Sequence, residues 1–350
     1  MRLGLSLPLV STASALRDQV SLAVAADALG YDAVWVPEAY GADAVSVLAT
    51  IAARTERIDI GSAVLQIPAR TPALTAMTAT GLDALSGGRF RLGLGVSGPQ
   101  VSEGWHGVRF ADPIGRIAEY VGIVRDALAR RRVRADGKHF TLPLPDGPGK
   151  SLVLAFQPER PHLPLYLAAV GPRNLELVGR LADGWLGIFF DTQDGAGQIR
   201  AIAEAAAAAG RDASAIDTAV QVPLSFDDDV RRAEARLRPY AALYIGGMGS
   251  KKANYYHEIA ARMGYEAEAD LVQERFLARD YSGAAQAVPS EFLQRTCLLG
   301  DDATVAAGLR RLAAAGVRSV NINPVGLPLA DQIEALRNVV VLARREALVS

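Results

Sequence analysis

The chain has 350 residues, half of them hydrophobic, with 37 basic against 38 acidic side chains and a formal charge of −1. So even a balance gives no broad field to draw nucleic acid or an anionic membrane surface, and a small-molecule partner is expected. The single cysteine, Cys297, excludes a disulfide framework and a thiolate metal cluster, and it fits a reducing cytoplasm.

The chain starts Met1-Arg2 and runs through "LGLSLPLV" to "STASA", a loose imitation of a secretory signal. Its apolar stretch is short, follows one basic residue and alternates, so it reads instead as a buried strand over 2–8. No run approaches the ~18 apolar residues of a membrane span. Next, "ALRDQVSLAVAADALG" sets Leu16, Val20, Val24 and Asp27 near one helical face. It ends at Gly30, and "YDAVWV" follows as a strand over 33–37. The same helix, glycine, strand unit recurs in "LELVGRLADG" before "WLGIFF", past Gly184, and in "VAAGLRRLAAAG" before "VRSVNIN", past Gly316. Glycine can take the left-handed conformation that closes a helix, so each is expected to mark a helix C-terminus.

Further strands are predicted over 58–66, 90–96, 163–169, 185–190, 216–223 and 318–323. All are dense in Val, Ile, Leu and Trp, as parallel strands buried on both faces are. Eight βα units without a linker predict an α/β fold, a (β/α)8 TIM barrel forming a single domain over 1–350; a doubly wound sheet is the alternative. Two insertions are expected: a hairpin over about 131–161, where Gly and Pro cluster, and a mostly helical excursion over about 239–300. Barrel active sites lie where the strands end, so the C-terminal strand ends are the place to look.

One stretch there, "RFRLGLGVSGPQVSEGWHG", contains Gly93-x-Gly95-x-x-Gly98 after a strand-like run. A dinucleotide fingerprint should sit on the first βα turn, open a helix at once and be followed by an acidic residue closing the next strand. Here three strands precede it, Pro99 and loop-like "QVSEGWHG" follow, and Glu119 falls inside the next helix. That reading fails on context. Either these glycines let strands pack closely, or they leave room for a flat ligand against the backbone.

Taken together, "YDAVWVPEAYGADA", the long block from "RTERIDIGSAVLQIPAR" to "SGPQVSEGWHG", "LAAVGPRNLELVGRLADGW" and "LYIGGMG" resemble the luciferase-like monooxygenase superfamily, and within it the coenzyme F420-dependent oxidoreductases. The resemblance runs from residue 2 to about 345. It implies a barrel holding F420 (alternatively FMN) at its C-terminal mouth, with hydride transfer at C5 of the deazaflavin, and a homodimer. It also implies a non-prolyl cis peptide in the third strand, placed at Ala63–Val64, beneath the ring. Glu38 matches the acidic position at the ring's polar edge, either as a hydrogen-bond acceptor or as a proton carrier. Ala39 stands where the sugar-phosphate dehydrogenase branch has a histidine, so that chemistry is doubtful here. Ser97 and Gly98 are expected beside the ring. Val170, Gly171 and Pro172 lead into a helix whose free N–H groups suit a phosphate. Glu103 and His106 join Glu38 as acid/base candidates. Tyr40, Trp105, Tyr244 and Met248 are candidates for the substrate pocket. Lys251 and Lys252 could attract the polyglutamate tail of F420. An FMN-dependent monooxygenase and a flavin-binding barrel without turnover are the competing readings. Four histidines in no HxH or HExxH spacing leave a metal-dependent hydrolase unsupported.

Overall fold

The computed structural model describes residues 1–250 and 253–349. Its strands are β1 (Arg2–Ser6), β2 (Ala33–Val36), β3 (Asp59–Ser62), β4 (Leu65–Gln66), β5 (Phe90–Gly95), β6 (Ala135–Asp136), β7 (Thr141–Leu142), β8 (Leu165–Ala168), β9 (Gly184–Ile188), β10 (Asp217–Phe226), β11 (Leu298–Gly300) and β12 (Ser319–Pro324). Eight of them close a parallel barrel in the order β1-β2-β3-β5-β8-β9-β10-β12, with β12 returning to β1. Helices follow on the outside. The expected TIM barrel is present.

Side-chain alternation explains the closure. Leu3, Leu5, Val34, Ile60, Leu92 and Ile322 point outward and pack with the helices in one core of buried side chains. The alternate positions face the barrel axis, where Ala33, Trp35, Tyr166 and Ala219 make a smaller interior cluster. Gly61 lies so close to the Trp35 ring that a Cβ there would collide with it.

The bottom of the barrel is closed by a polar plug. Arg91 donates to Asp59 (2.7 Å) and to the Tyr166 hydroxyl (3.0 Å), and Tyr166 donates to Asp217 (2.9 Å). Ser319 donates to Asp217 as well (2.8 Å), and Arg2 pairs with it at 2.8 Å. These residues sit at the starts of four strands and at the second positions of β5 and β8, so the plug ties distant segments together.

Local sequence sets the boundaries. Gly30 (φ 84°) closes the helix Ala13–Leu29, and Gly316 (φ 92°) follows the helix Asp302–Ala314, both as expected. Gly184 behaves differently. The helix Pro172–Leu181 ends at Ala182 in extended backbone, and Gly184 opens β9, where the Tyr166 ring leaves no room for a Cβ. Asp27 turns inward and accepts N–H bonds from Glu56, Arg57 and Ile58, so it holds the turn before β3.

Both insertions are present. In the first, β6 and β7 form a short antiparallel hairpin, and Glu119 accepts from the N–H groups of Lys138, His139 and Phe140 to hold it. The second contains the helices Tyr255–Arg262, Glu266–Leu277, Tyr281–Ala287 and Ser290–Thr296. Its last three residues differ from expectation: "LLG" at 298–300 is β11, pairing with the extended upper end of β10. Three residues are too few for a periodic signal. The third strand is also shorter than 58–66, because it breaks at a cis peptide between Ala63 and Val64 and resumes as β4.

Candidate functional site

A cleft opens where the strands end. Ala63 and Val64 at the β3–β4 break, Ser97 and Gly98 after β5, and Val170 after β8 form its walls, with Glu38 at the end of β2. Tyr40, Tyr244 and Met248 line it too. Gly171 caps, and Pro172 begins, the helix directly beyond Val170. Residues spread over more than 200 positions thus converge on the barrel mouth. Gln66, Asn174 and the tyrosines 255 and 256 also face this cleft and were not foreseen. No local motif surrounds them, and only the fold brings them together.

Each glycine of the opening stretch has its own task. A Cβ on Gly93 would strike the Ser62 carbonyl of the neighbouring strand, whose hydroxyl also bonds the Gly93 backbone on both sides. Gly95 lies against Val64, with a Cβ there 2.5 Å from that side chain. Gly98 is the reverse: nothing lies within 4 Å of the position its Cβ would take. The first two permit close strand packing, and the third leaves open space in the cleft. Ser97 holds a left-handed backbone (φ 59°), uncommon for a residue with a side chain and characteristic of sites where geometry serves a ligand.

The acid/base candidates sit in different settings. The Glu38 carboxylate accepts from the N–H of Ala44 (3.3 Å), the N–H of Gln66 (3.1 Å) and the Arg70 guanidinium (2.6 Å). Arg70 also pairs with Asp43 at 2.8 Å. Both Glu38 oxygens thus accept hydrogen bonds, and the carboxylate clamps the end of β2 to β4 and Arg70. His106 lies one shell behind, its Nε2 2.8 Å from Gln66 Oε1, and does not line the cleft. The segment expected as loop is partly helical, over Pro99–Gly104. Glu103 sits on its outer side, exposed, paired with Arg109 (3.3 Å) and accepting from the Phe110 N–H (3.0 Å). Trp105 is 66% exposed and does not line the cleft. Glu103 and Trp105 therefore hold or decorate a surface turn, because the short helix rotates them outward.

The opposite wall comes from the helical insertion. Residues Leu243–Gly247 form a wide π-type turn, a local irregularity often found beside functional sites. Asn254 pins it by donating to the carbonyls of Tyr244 (3.1 Å) and Ile245 (2.7 Å), while its oxygen caps the helix Tyr255–Arg262. Phe189, at the end of β9 with φ 48°, is the hub of the surrounding aromatic cluster. Its ring lies 6.0 Å from Tyr240, 5.7 Å from Tyr244 and 5.3 Å from Phe292. Behind Tyr244, Gln221 donates from inside the barrel to the Tyr240 hydroxyl at 2.6 Å. Burial pushes the Tyr244 phenol above its ordinary value, with hydrogen bonds from Tyr240 and Gln221 opposing.

Three features fit a flat ring bearing a phosphate-containing chain. Open space lies over Gly98. The Asn174 side-chain oxygen is buried without a partner beside the cleft. Gly171 supplies no side-chain cap, Pro172 carries no N–H and the Asn174 N–H donates to the Gly171 carbonyl (3.0 Å), so the Arg173 N–H is the group at this helix start available to an anion. Lys251 and Lys252 lie outside the described residues. Among the described residues no cluster of His, Cys, Asp and Glu could hold a metal ion, and no helix is long and apolar enough to cross a membrane.

A closed parallel barrel with a ligand cleft at its C-terminal mouth defines the broad class. Comparison with known proteins narrows it: the luciferase-like monooxygenase family matches residues 1–319. A Mycobacterium tuberculosis protein assigned as a coenzyme F420-dependent oxidoreductase is 39% identical over 327 residues, covering 91% of this chain and 93% of that one. Two solved structures share the fold. The coenzyme F420-dependent tetrahydromethanopterin reductase of Methanopyrus kandleri superposes with a TM-score of 0.82 (24% identity, 97% of each chain). An F420-dependent secondary alcohol dehydrogenase bound to an F420–acetone adduct gives 0.80 (20% identity, 98% of this chain and 99% of that one). The chain belongs to the luciferase-like monooxygenase family.

Proposed function

We propose that this protein is a coenzyme F420-dependent oxidoreductase that moves a hydride between C5 of the deazaflavin and a small organic substrate. One observation carries the reading: the β3–β4 break, the Ser97–Gly98 turn and Val170 converge on one cleft with free space over Gly98. The similarity to the M. tuberculosis protein supports the choice of F420.

When bound, the deazaflavin supplies or accepts the hydride. The chain's own work is positional. Ala63, Val64 and Val170 offer apolar walls, and the Ser97 hydroxyl and Asn174 amide offer polar contacts at the edges. Glu38, fixed by Arg70, holds the β2 and β4 ends at a set distance and leaves a negative charge beside the mouth. His106 acts on the cleft through Gln66, orienting that amide. The aromatic wall from the insertion excludes water, which strengthens every polar contact inside.

Titrating the purified protein with F420 and with FMN, followed by intrinsic Trp fluorescence, tests the reading. Saturable F420 binding, tighter than FMN, is expected. Preferential FMN binding would instead support the monooxygenase reading, and F420 binding without turnover on any substrate would support a binding barrel.

The same reading includes a single domain, a cytoplasmic setting and a homodimer. Support for the dimer lies along the helix Pro72–Leu85, where Met77, Leu152 and Phe156 stand exposed around an apolar groove beside the hairpin insertion. Light scattering that returns twice the chain mass would support it.

A further inference from the structure

The cleft does not end at Met248. Leu9, Ala39, Tyr40 and Met248 line it and also line a second, larger groove running outward between the β1 and β2 ends. This groove has a volume of about 770 Å³. Its far walls are Val10, Leu16, Ala15, Ala42 and Leu243. Leu9 and Leu243 are more than a third exposed and Tyr40 is 53% exposed, so large apolar side chains face the open groove. Its hydroxyl-bearing residues are Ser11, Thr12 and Tyr40. Thr12 is already engaged, capping the helix Ala13–Leu29 through Ala15 N–H and contacting Ser14. Among the described residues, no Lys, Arg, His, Asp or Glu lines the groove.

That lining selects by chemistry. A carboxylate or phosphate brought here would lose hydration and meet no charged side chain among these residues, only the start of the helix Ala13–Leu29, which the Thr12 side chain already caps, whereas an alkyl or aryl group would cover exposed apolar surface. One polar contact waits at the junction. Tyr244 lines the inner cleft next to Leu243 of the outer groove, its ring 4.7 Å from that of Tyr240, whose hydroxyl accepts from Gln221 at 2.6 Å.

We propose that the outer groove takes an uncharged, elongated, mainly apolar substrate whose single carbonyl or hydroxyl oxygen meets the Tyr244 hydroxyl. This rests on the oxidoreductase reading for its chemistry, but the groove is built by the protein alone. It separates this chain from relatives that bind sugar phosphates, in keeping with Ala39 at the position of their histidine. Met248, flexible and unbranched, sits where the two spaces join and can adapt to the substrate's shape.

Calorimetric titration of the full chain, with and without F420, tests it directly. The probes are a medium-chain methyl ketone, the same ketone with a terminal carboxylate, and glucose 6-phosphate. The ketone is expected to bind at least about tenfold more tightly than either charged probe. Ala42→Trp, which fills the groove, and Ala15→Glu, which puts a charge in it, should each weaken ketone binding by about tenfold or more. F420 binding should stay within about twofold in both variants, since neither residue lines the inner cleft. Tyr244→Phe should weaken the ketone about threefold to tenfold, the worth of one hydrogen bond. A charged probe binding as tightly as the ketone would overturn the proposal, as would undiminished ketone binding in both groove variants. Undiminished ketone binding in Tyr244→Phe would remove the phenol from it. Failure of F420 to bind would overturn the cofactor reading alone, because the ketone titration without F420 still decides the groove.

Discussion

The two ends of this barrel are built on opposite plans. At the bottom, Arg2, Asp59, Arg91, Tyr166, Asp217 and Ser319 interlock, and each polar group meets a partner. At the mouth, Asn174 keeps an unpaired buried oxygen, Ser97 and Phe189 hold left-handed backbone, and Gly98 faces empty space. The contrast separates two kinds of polar residue. The paired plug residues stabilise the closed barrel, while the Asn174 oxygen and the space over Gly98 leave the mouth as its open end.

That contrast can be broken by substitution, starting with the largest expected effect. Asp217→Ala strips the plug of its central acceptor and leaves Tyr166, Ser319 and Arg2 without theirs, while Arg91 keeps Asp59, so denaturant titration should show a loss of about 3 kcal/mol. Asp27→Ala should cost about 2 kcal/mol at neutral pH, because three N–H groups lose their acceptor. Its pH dependence has a definite sign. Burial pushes the Asp27 carboxyl up, but the N–H bonds from Glu56, Ile58 and Arg57 outweigh this and bring it below 3.8. A carboxyl depressed in the folded state stabilises fully above the unfolded value and loses that contribution as pH falls through the folded one. The gap between wild type and Asp27→Ala, measured by urea titration, should therefore be widest above about pH 4 and shrink toward pH 2.

At the mouth the pattern reverses. Gly98→Leu should change stability by less than about 0.5 kcal/mol, since the added side chain meets only open space, yet lower F420 affinity by at least about tenfold. A large stability loss there, with F420 binding intact, would erase the distinction between the ends. Trp105→Ala should do least, leaving stability within about 0.5 kcal/mol and F420 binding unchanged, because the ring is mostly in solvent.

Much of this was legible in the sequence. Eight apolar strand runs with helix-closing glycines at Gly30 and Gly316 were enough for the barrel. The resemblance to the luciferase-like family marked Ala63, Ser97, Gly98 and Gly171 for the mouth. The misses have physical causes. Gly184 looked like a helix cap but is fixed by contact with the Tyr166 ring, a long-range fact. β11 is too short to show a period. Glu103 and Trp105 sit next to Ser97 and Gly98 in the chain, yet the short helix at 99–104 turns them outward. Gln66, Asn174 and Tyr256 carry no motif, and Glu38 could be placed at the mouth while its clamp, Arg70, stayed invisible. Sequence proximity marks a region, and only the backbone path decides which side chains enter the cleft.

The central claim is that a flat cofactor lies across the β3–β4 break. A crystal structure of the protein soaked with F420 tests this most directly. The account predicts the deazaflavin ring against Val64, Gly98 and Val170, with the phosphate at the Gly171–Pro172 helix start. A ring bound elsewhere, such as the apolar groove beside Met77 and Phe156, with the mouth empty, would contradict it.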